Sequence, residues 1–447
     1  MDIAAKRFLS LILLFTAVTA TFAQQVGSNS PYGRYGYGLL SNQSFGASEA
    51  MGGISYGIRR SQQVNPGNPA SYSRLDTLTF IFDFGVSGHY ALYSDGVNKQ
   101  DFYNGNFDYV AMQFPIFRKV GASIGLLPYS KTGYNYGQVR TFENLIYEEV
   151  FRGTGGLSQI YAGMAYEPVS FFSVGANLTY LFGNFSYSSV SVPTSTTGAT
   201  IGEEKKAYSI RDLKYDFGAQ FTLPLDKSSE LTLGVVYTPG LTSKTDVYAT
   251  EMMFLSDPYT NPYQTPSEIL RDDTLSNQRF QLPATYGVGV TYSNRNLLVG
   301  IDGTFQQWEG LNYPEVLDGL TLQNRFNNRY RINAGAEYIV DPYSRNFFNR
   351  VRLRAGVSYG NSYTNVSVYN PLTSASVGVG GFKEYGVNFG LGLPFRDNLS
   401  GRLSMLNIGF SYISQRPDMQ YMIKQDMFKI SLNMNINEFW FFKRQFN

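Results

Sequence analysis

Apolar and polar residues alternate along most of this chain. Near its end, Phe428, Ile430, Leu432, Met434 and Ile436 interleave with Lys429, Ser431, Asn433 and Asn435. A strand sends successive side chains to opposite faces, so this stretch has one apolar and one polar face. The pattern recurs upstream. Leu213, Tyr215, Phe217, Ala219, Phe221 and Leu223 oppose Lys214, Asp216, Gly218, Gln220 and Thr222, and Tyr330, Ile332, Ala334, Ala336 and Tyr338 oppose Arg331, Asn333, Gly335 and Glu337. Val351, Leu353, Ala355 and Val357 likewise oppose Arg352, Arg354, Gly356 and Ser358. From Leu78 onward fourteen candidate strands fall near 78–91, 106–117, 120–131, 157–166, 171–188, 208–223, 231–243, 278–292, 297–308, 326–339, 350–360, 381–393, 403–414 and 427–436.

The polar faces carry Arg331, Glu337, Arg352 and Arg354. An arginine turned toward lipid at mid-bilayer costs about 2–4 kcal/mol, so these charges are expected to face a lumen. The connections alternate in length. Arg118-Lys119, Glu167 to Ser170, Pro224 to Glu230 and Ser293 to Asn296 read as short turns, and 132–156, 189–207 and 244–277 as long loops. Short turns on one rim and long loops on the other, with an even strand count, describe an outer-membrane barrel. The predicted fold is therefore all-β, a transmembrane antiparallel β-barrel of fourteen strands. Tyr90, Tyr134, Tyr136, Tyr187, Tyr237, Tyr292, Tyr359 and Trp440 stand at strand ends, where rings suit the two interfacial girdles. A soluble β-sandwich would also use many aromatics, but it accounts for neither the loop alternation nor the inward arginines. The Phe439-Trp-Phe-Phe442 cluster is placed to seal the last strand against the first.

Two segments precede the barrel. Lys6 and Arg7 lead into an apolar run, Phe8 to Val18, and then into small residues ending at Ala23. This reads as a secretory signal peptide over 1–23, too short for a membrane-spanning helix. Residues 24–76 are rich in Gly, Ser, Asn and Tyr, with Asn-Pro turns at Asn65-Pro66 and Asn68-Pro69. They are expected to form a compact hatch that fills the lumen or hangs below it, ahead of a barrel over 77–447. Composition agrees with strands rather than helices in the membrane. Charged residues make up 16%, and the chain has 45 Gly, 35 Tyr and 34 Phe. Mean hydropathy is only −0.20, because alternating strands average out. A net charge of +2 indicates no nucleic acid partner.

Candidate chemistry is sparse. A single histidine, His89, and the absence of cysteine argue against a histidine triad, a thiol nucleophile or a multi-histidine metal site. The carboxylate pairs Glu148-Glu149, Glu203-Glu204 and Asp272-Asp273 read as solvated loop charges. Asn177-Leu-Thr179 matches a glycosylation sequon but falls inside a candidate strand. No catalytic residue, metal or cofactor is expected, and the chain is not expected to be an enzyme. Pro115 and Pro128 fall in the second and third strands. Proline cannot donate to the ladder, so each marks either a strand end or a kink that opens the wall.

The lead Ala47-Ser-Glu-Ala-Met-Gly-Gly53, followed by Asn68, Pro69 and Ala70 just before the first strand, resembles the FadL-type outer-membrane proteins. That resemblance implies a fourteen-stranded barrel with a lumenal hatch, in the bacterial outer membrane. It implies passive uptake of hydrophobic, fatty-acid-like small molecules, with lateral release through the wall or a moving hatch. Asn68, Pro69 and Ala70 would then fix the hatch, and the Pro128 strand would supply the opening. Some relatives serve instead as scaffolds in envelope secretion or assembly machines. The expected partners are outer-membrane lipid and a hydrophobic ligand, or, in the second case, other envelope proteins.

Overall fold

The structure, a computed structural model, describes residues 29–439 apart from 45, 97, 143–144, 195–199, 257, 259–263, 314–324, 371–375 and 397–401. The segment 1–23, expected to be a signal peptide, and Trp440 to Phe442 of the terminal aromatic cluster lie outside the described residues, whereas Phe439 ends the last strand opposite Thr79 of the first.

The wall opens with β2 (Thr79–Ser94), after a short inner strand β1 (Leu39–Leu40). It continues through β3 (Lys99–Phe117) and β4 (Val120–Lys131), which β5 (Tyr134–Phe142) prolongs past a break. Next come β6 (Leu145–Val169), β7 (Phe172–Pro193) and β8 (Ile201–Pro224). The strands β9 (Glu230–Thr238) and β10 (Leu241–Phe254) form one interrupted stave, and β11 (Glu268–Leu282) and β12 (Thr285–Ser293) form another. The circuit ends with β13 (Leu297–Gln306), β14 (Arg329–Ile339), β15 (Arg352–Asn361), β18 (Phe382–Arg396), β19 (Leu403–Pro417) and β20 (Lys424–Phe439). A separate hairpin, β16 (Val366–Tyr369) with β17 (Ser376–Gly380), sits between β15 and β18. Every pairing is antiparallel, and all of Thr79–Ser94 pairs with β20, so the sheet closes with fourteen staves.

Closure explains why the alternation is so regular. Leu178, Tyr215, Val288, Ile301, Ile332, Phe389, Ile430 and Leu432 are exposed on the outside, whereas Asn177, Asp302, Asn333, Glu337, Asn388 and Asn433 are buried within. That inversion of an ordinary protein surface is stable only when hydrocarbon surrounds the wall.

The long loops contain more strand than the hydropathy pattern indicated. Residues 132–156 include β5 and the first part of β6, residues 189–207 include the end of β7 and the start of β8, and 244–277 hold most of β10 and β11. Glu148-Glu149, Glu203-Glu204 and Asp272-Asp273 therefore stand on strands, with Glu203 opposite Met252 and Asp272 opposite Thr250. In these upper parts the inner face still buries Phe151, Val190, Ile201, Val247 and Phe254, but the outer face carries charged residues in place of lipid-facing apolar ones, so the apolar-out pattern of the belt is lost.

Candidate functional site in the lumen and wall

Residues 29–76 run through the inside of the barrel. Their regular pieces are short: a 3-10 turn at Pro31–Arg34, β1, one helical turn at Ala47–Ala50, and a 3-10 turn at Pro69–Arg74. Asn68 caps the last of these, its side-chain oxygen accepting from the Ala70 amide at 3.1 Å. The Asn68 amide nitrogen donates to the Tyr56 carbonyl at 2.8 Å and to the wall carbonyl of Ala219 at 3.2 Å. Pro69 and Ala70 lean on Gly175 and Gly218, which face each other across β7 and β8.

The same arrangement repeats around the barrel. Inward-facing glycines stand where the segment's backbone meets the wall. A Cβ on Gly121 would overlap the Tyr72 carbonyl, one on Gly234 the Tyr56 carbonyl, and one on Gly335 the Met51 carbonyl. Gly335 also faces Gly356 across β14 and β15, and a Cβ on Gly356 would strike the Gly52 amide nitrogen. Several of these glycines occupy polar-face positions of the alternating sequence, where they read as neutral spacers. A column of glycine at one depth of neighbouring strands is a sign of close backbone approach, and it was available in the sequence.

Polar side chains complete the attachment. Asp302 accepts from the backbone amides of Ser55 and Tyr56 at 2.5 and 2.9 Å. Gln220 donates to the carbonyls of Tyr56 and Ile58 at 2.9 and 3.0 Å. Arg59 pairs with Glu167 at 2.5 Å and also reaches Ser173. Asn177, the sequon asparagine, is buried and accepts from the Tyr72 hydroxyl at 3.0 Å. Each of these bonds satisfies a polar group that the closed barrel would otherwise strand away from water.

Above this level the lumen is aromatic. Tyr37, fully buried, lies 4.9 Å from the Phe280 ring, 5.2 Å from Tyr313 and 6.1 Å from Trp308. Its amide donates to the Tyr363 hydroxyl, which in turn donates to the Gly38 carbonyl at 2.6 Å. Phe151, Phe185, Tyr187, Tyr208 and Phe326 join the same core. Below it are two chambers of about 220 and 160 Å³. Glu49, His89, Asp108, Lys131, Arg329 and Lys429 all face the first. Lys429 bridges Glu49 at 2.5 Å and Asp108 at 3.2 Å.

The four inward charges of the sequence pattern separate into two groups. Glu337 receives Arg60 at 2.6 Å, Arg352 at 2.8 Å and Arg354 at 2.6 Å, near the short-turn rim. Arg331 stands apart, higher in the lumen, paired with Glu384 at 3.2 Å. The two prolines separate as well. Pro115 lies at a register shift beside the Arg118-Lys119 turn, so it marks a strand end.

Pro128 coincides with a break in the wall. Pairing between β3 and β4 stops at Val110 opposite Leu126. β3 stays paired with β2 on its other edge throughout this stretch, while β4 shifts register against β6 between Pro128 and Ser130 and takes up β1 at the edge that β3 leaves. Among the described residues the upper parts of β3 and β4 are thus unpaired with each other. Asn106, Asp108, Tyr109, Leu127 and Pro128 border the larger chamber at this seam. An apolar cluster of Phe82, Val110 and Leu126, joined by Phe107 and Phe182, packs beside it.

The fold matches solved outer-membrane barrels. A FadL homologue from Pseudomonas aeruginosa shares 14% identity over 89% of this chain and 99% of its own, with a TM-score of 0.56. The toluene transporter TbuX of Ralstonia pickettii shares 13% over 90% and 100%, with a TM-score of 0.55, and the P. putida toluene transporter TodX 17% over 90% and 100%, with a TM-score of 0.58. At such identities the likeness is one of fold. No curated protein matches the sequence. A family model described as BamG matches residues 5–447.

Proposed function

The chain belongs to the BamG family, and from that premise and the wall geometry we propose that it is a bacterial outer-membrane barrel that passes hydrophobic small molecules laterally, between its wall and the bilayer. The FadL-type resemblance thus stands at the level of fold, and transport is the reading built on it. The observation that carries it is the seam at Pro128, where an unpaired stretch of wall meets an apolar cluster. Charged groups line the chamber behind it, so an apolar solute gains nothing by travelling the length of the lumen. The seam offers an apolar exit into the membrane. Residues 29–76 act here as the hatch, held by Asn68, Pro69 and Ala70. The solutes named for the toluene transporters above support the substrate class: small, apolar and uncharged.

A second reading has its own support. The aromatic core around Tyr37 and Trp308 closes over the segment, and the family is BamG rather than that of the transporters. In this reading the barrel is a non-transporting subunit of an envelope secretion or assembly complex. Extraction of native membranes in mild detergent, followed by native mass spectrometry, separates the two. A monomer retaining apolar ligands supports transport. A stoichiometric complex with other envelope proteins and no ligand replaces it with the subunit reading.

A further inference from the structure

A cavity of about 260 Å³ opens at the short-turn end of the barrel, separate from the seam. Arg60, Arg295, Arg352 and Arg354 line it, together with Gln63 and Asn407. Two carboxylates stand against these four guanidinium groups. Asp83 is engaged by the Tyr109 hydroxyl at 2.8 Å and the Asn435 amide at 3.1 Å. Among the described residues, Glu337 alone pairs with Arg60, Arg352 and Arg354.

Three cations on one buried anion leave an excess of positive charge, and the geometry decides where that excess points. Arg354 is held inside, its side chain 2% exposed and donating to Glu337 and to the Asn407 side-chain amide oxygen at 2.7 Å. Arg60 and Arg352 keep 21% of their side chains exposed. Arg295 stands at the rim, 5.8 Å over the Tyr343 ring. A guanidinium has five donors in a planar fork that fits two oxygens of a carboxylate or phosphate. One carboxylate cannot occupy three such forks.

We propose that this cavity is a binding site for an oxyanion, a carboxylate or phosphate group, presented from the periplasmic side. Arg352 and Arg60 hold it from within, and Arg295 closes on it from the rim. The ligand supplies a further anion, since Asp83 is taken up by Tyr109 and Asn435. Arg60 belongs to the lumenal segment and Arg352 to the wall, so a bound oxyanion also ties the two together. The site does not depend on transport through the seam.

The test uses the full chain in detergent, titrated calorimetrically with inorganic phosphate, acetate or an acidic pentapeptide, with sodium chloride holding ionic strength constant. One saturable site is expected, and Arg352→Gln and Arg295→Gln are each expected to weaken it about tenfold. Tighter binding of phosphate or acetate identifies a free solute, and tighter binding of the peptide an acidic segment of a periplasmic protein. Arg295 is exposed, so its variant tests the site without disturbing the fold. No saturable binding of any probe, or affinities unchanged in both variants, overturns the proposal.

Discussion

Arg60 and Glu337, 277 residues apart in the chain, meet at 2.6 Å inside the barrel. The same carboxylate holds Arg352 and Arg354 on the neighbouring strand. Glu337→Gln leaves three guanidinium groups converging without a counter-charge. Removing one partner of a buried ion cluster costs about 3–5 kcal/mol. The variant is expected to lose its heat-resistant mobility on unboiled gels at a lower temperature than the parent. An unchanged transition would mean that the cluster is solvated and contributes little.

Gly335 carries a second prediction. A side chain here has to displace the Met51 backbone, and Gly335→Val does so with a branched group on an already crowded face. The lumenal segment is expected to detach locally, exposing Arg59-Arg60 to trypsin in proteoliposomes while the wall stays folded. Gly303, whose Cβ would meet nothing within 4 Å, is the control. Equal protection of Gly335→Val and Gly303→Val would argue against close packing as the reason for the glycines.

Asn68→Ala removes a cap and two hydrogen bonds at once. The cap alone is worth about 1 kcal/mol. The Tyr56 carbonyl keeps its bond from Gln220, so each of the two lost bonds adds only about 0.5–1.5 kcal/mol. Single-channel recordings in planar bilayers are expected to show openings to small ions that the parent lacks. A silent variant would remove Asn68 from the hatch role.

Pro128→Ala returns a backbone N–H to β4 at the register shift. If the seam is an exit, drawing the strand back toward regular pairing is expected to slow loading of a fluorescent apolar probe into liposomes containing the barrel. Pro115→Ala, at a strand end, should not. Identical probe kinetics for both variants would favour the subunit reading.

The turn after β8 responds to acid. Hydrogen bonds from the Ser228 backbone amide and the Ser229 and Ser228 side chains hold the Asp226 carboxyl down at about 2, below its usual range. A lowered carboxylate stabilises the fold above its unfolded value of about 3.9, and that contribution is lost as pH falls through about 2. Amide exchange at Ser228 and Ser229, corrected for intrinsic rates, should therefore stay protected at pH 4 and lose protection toward pH 2. Asp226→Ala should remove the difference.

Within the apolar belt the strands were legible because one face meets lipid and the other a polar lumen. The alternation through Tyr330 to Tyr338 therefore records the wall directly, and the short turns at Arg118-Lys119 and Ser293 to Asn296 fall close to where strands end. Above the belt that contrast disappears. Thr250 opposite Asp272 and Glu251 opposite Arg271 belong to a regular ladder, yet their sequence reads as loop because the outer face here carries charge instead of lipid-facing apolar residues. Trp308 and Phe326, read as the ends of the 297–308 and 326–339 strands, lie beyond β13 and β14 instead, and with Tyr313 they reach the core from irregular chain.

Local pattern alone determined that this chain is a barrel: period two, an even strand count and inward arginines can be satisfied together only by a closed wall in a membrane. It also singled out Asn68-Pro69 and Pro128 as departures from regular strand. The tertiary structure decided what those departures do. Whether Gly335 spaces a strand or admits the Met51 backbone depends on how the segment threads the closed barrel. Whether Pro128 ends a strand or parts it from its neighbour depends on β1 competing for the same edge. Arg354 meets Glu337 because the ladder sets the two opposite each other across β14 and β15, whereas Arg60 reaches the same carboxylate only because the lumenal segment threads the closed barrel. No spacing along the chain encodes that meeting.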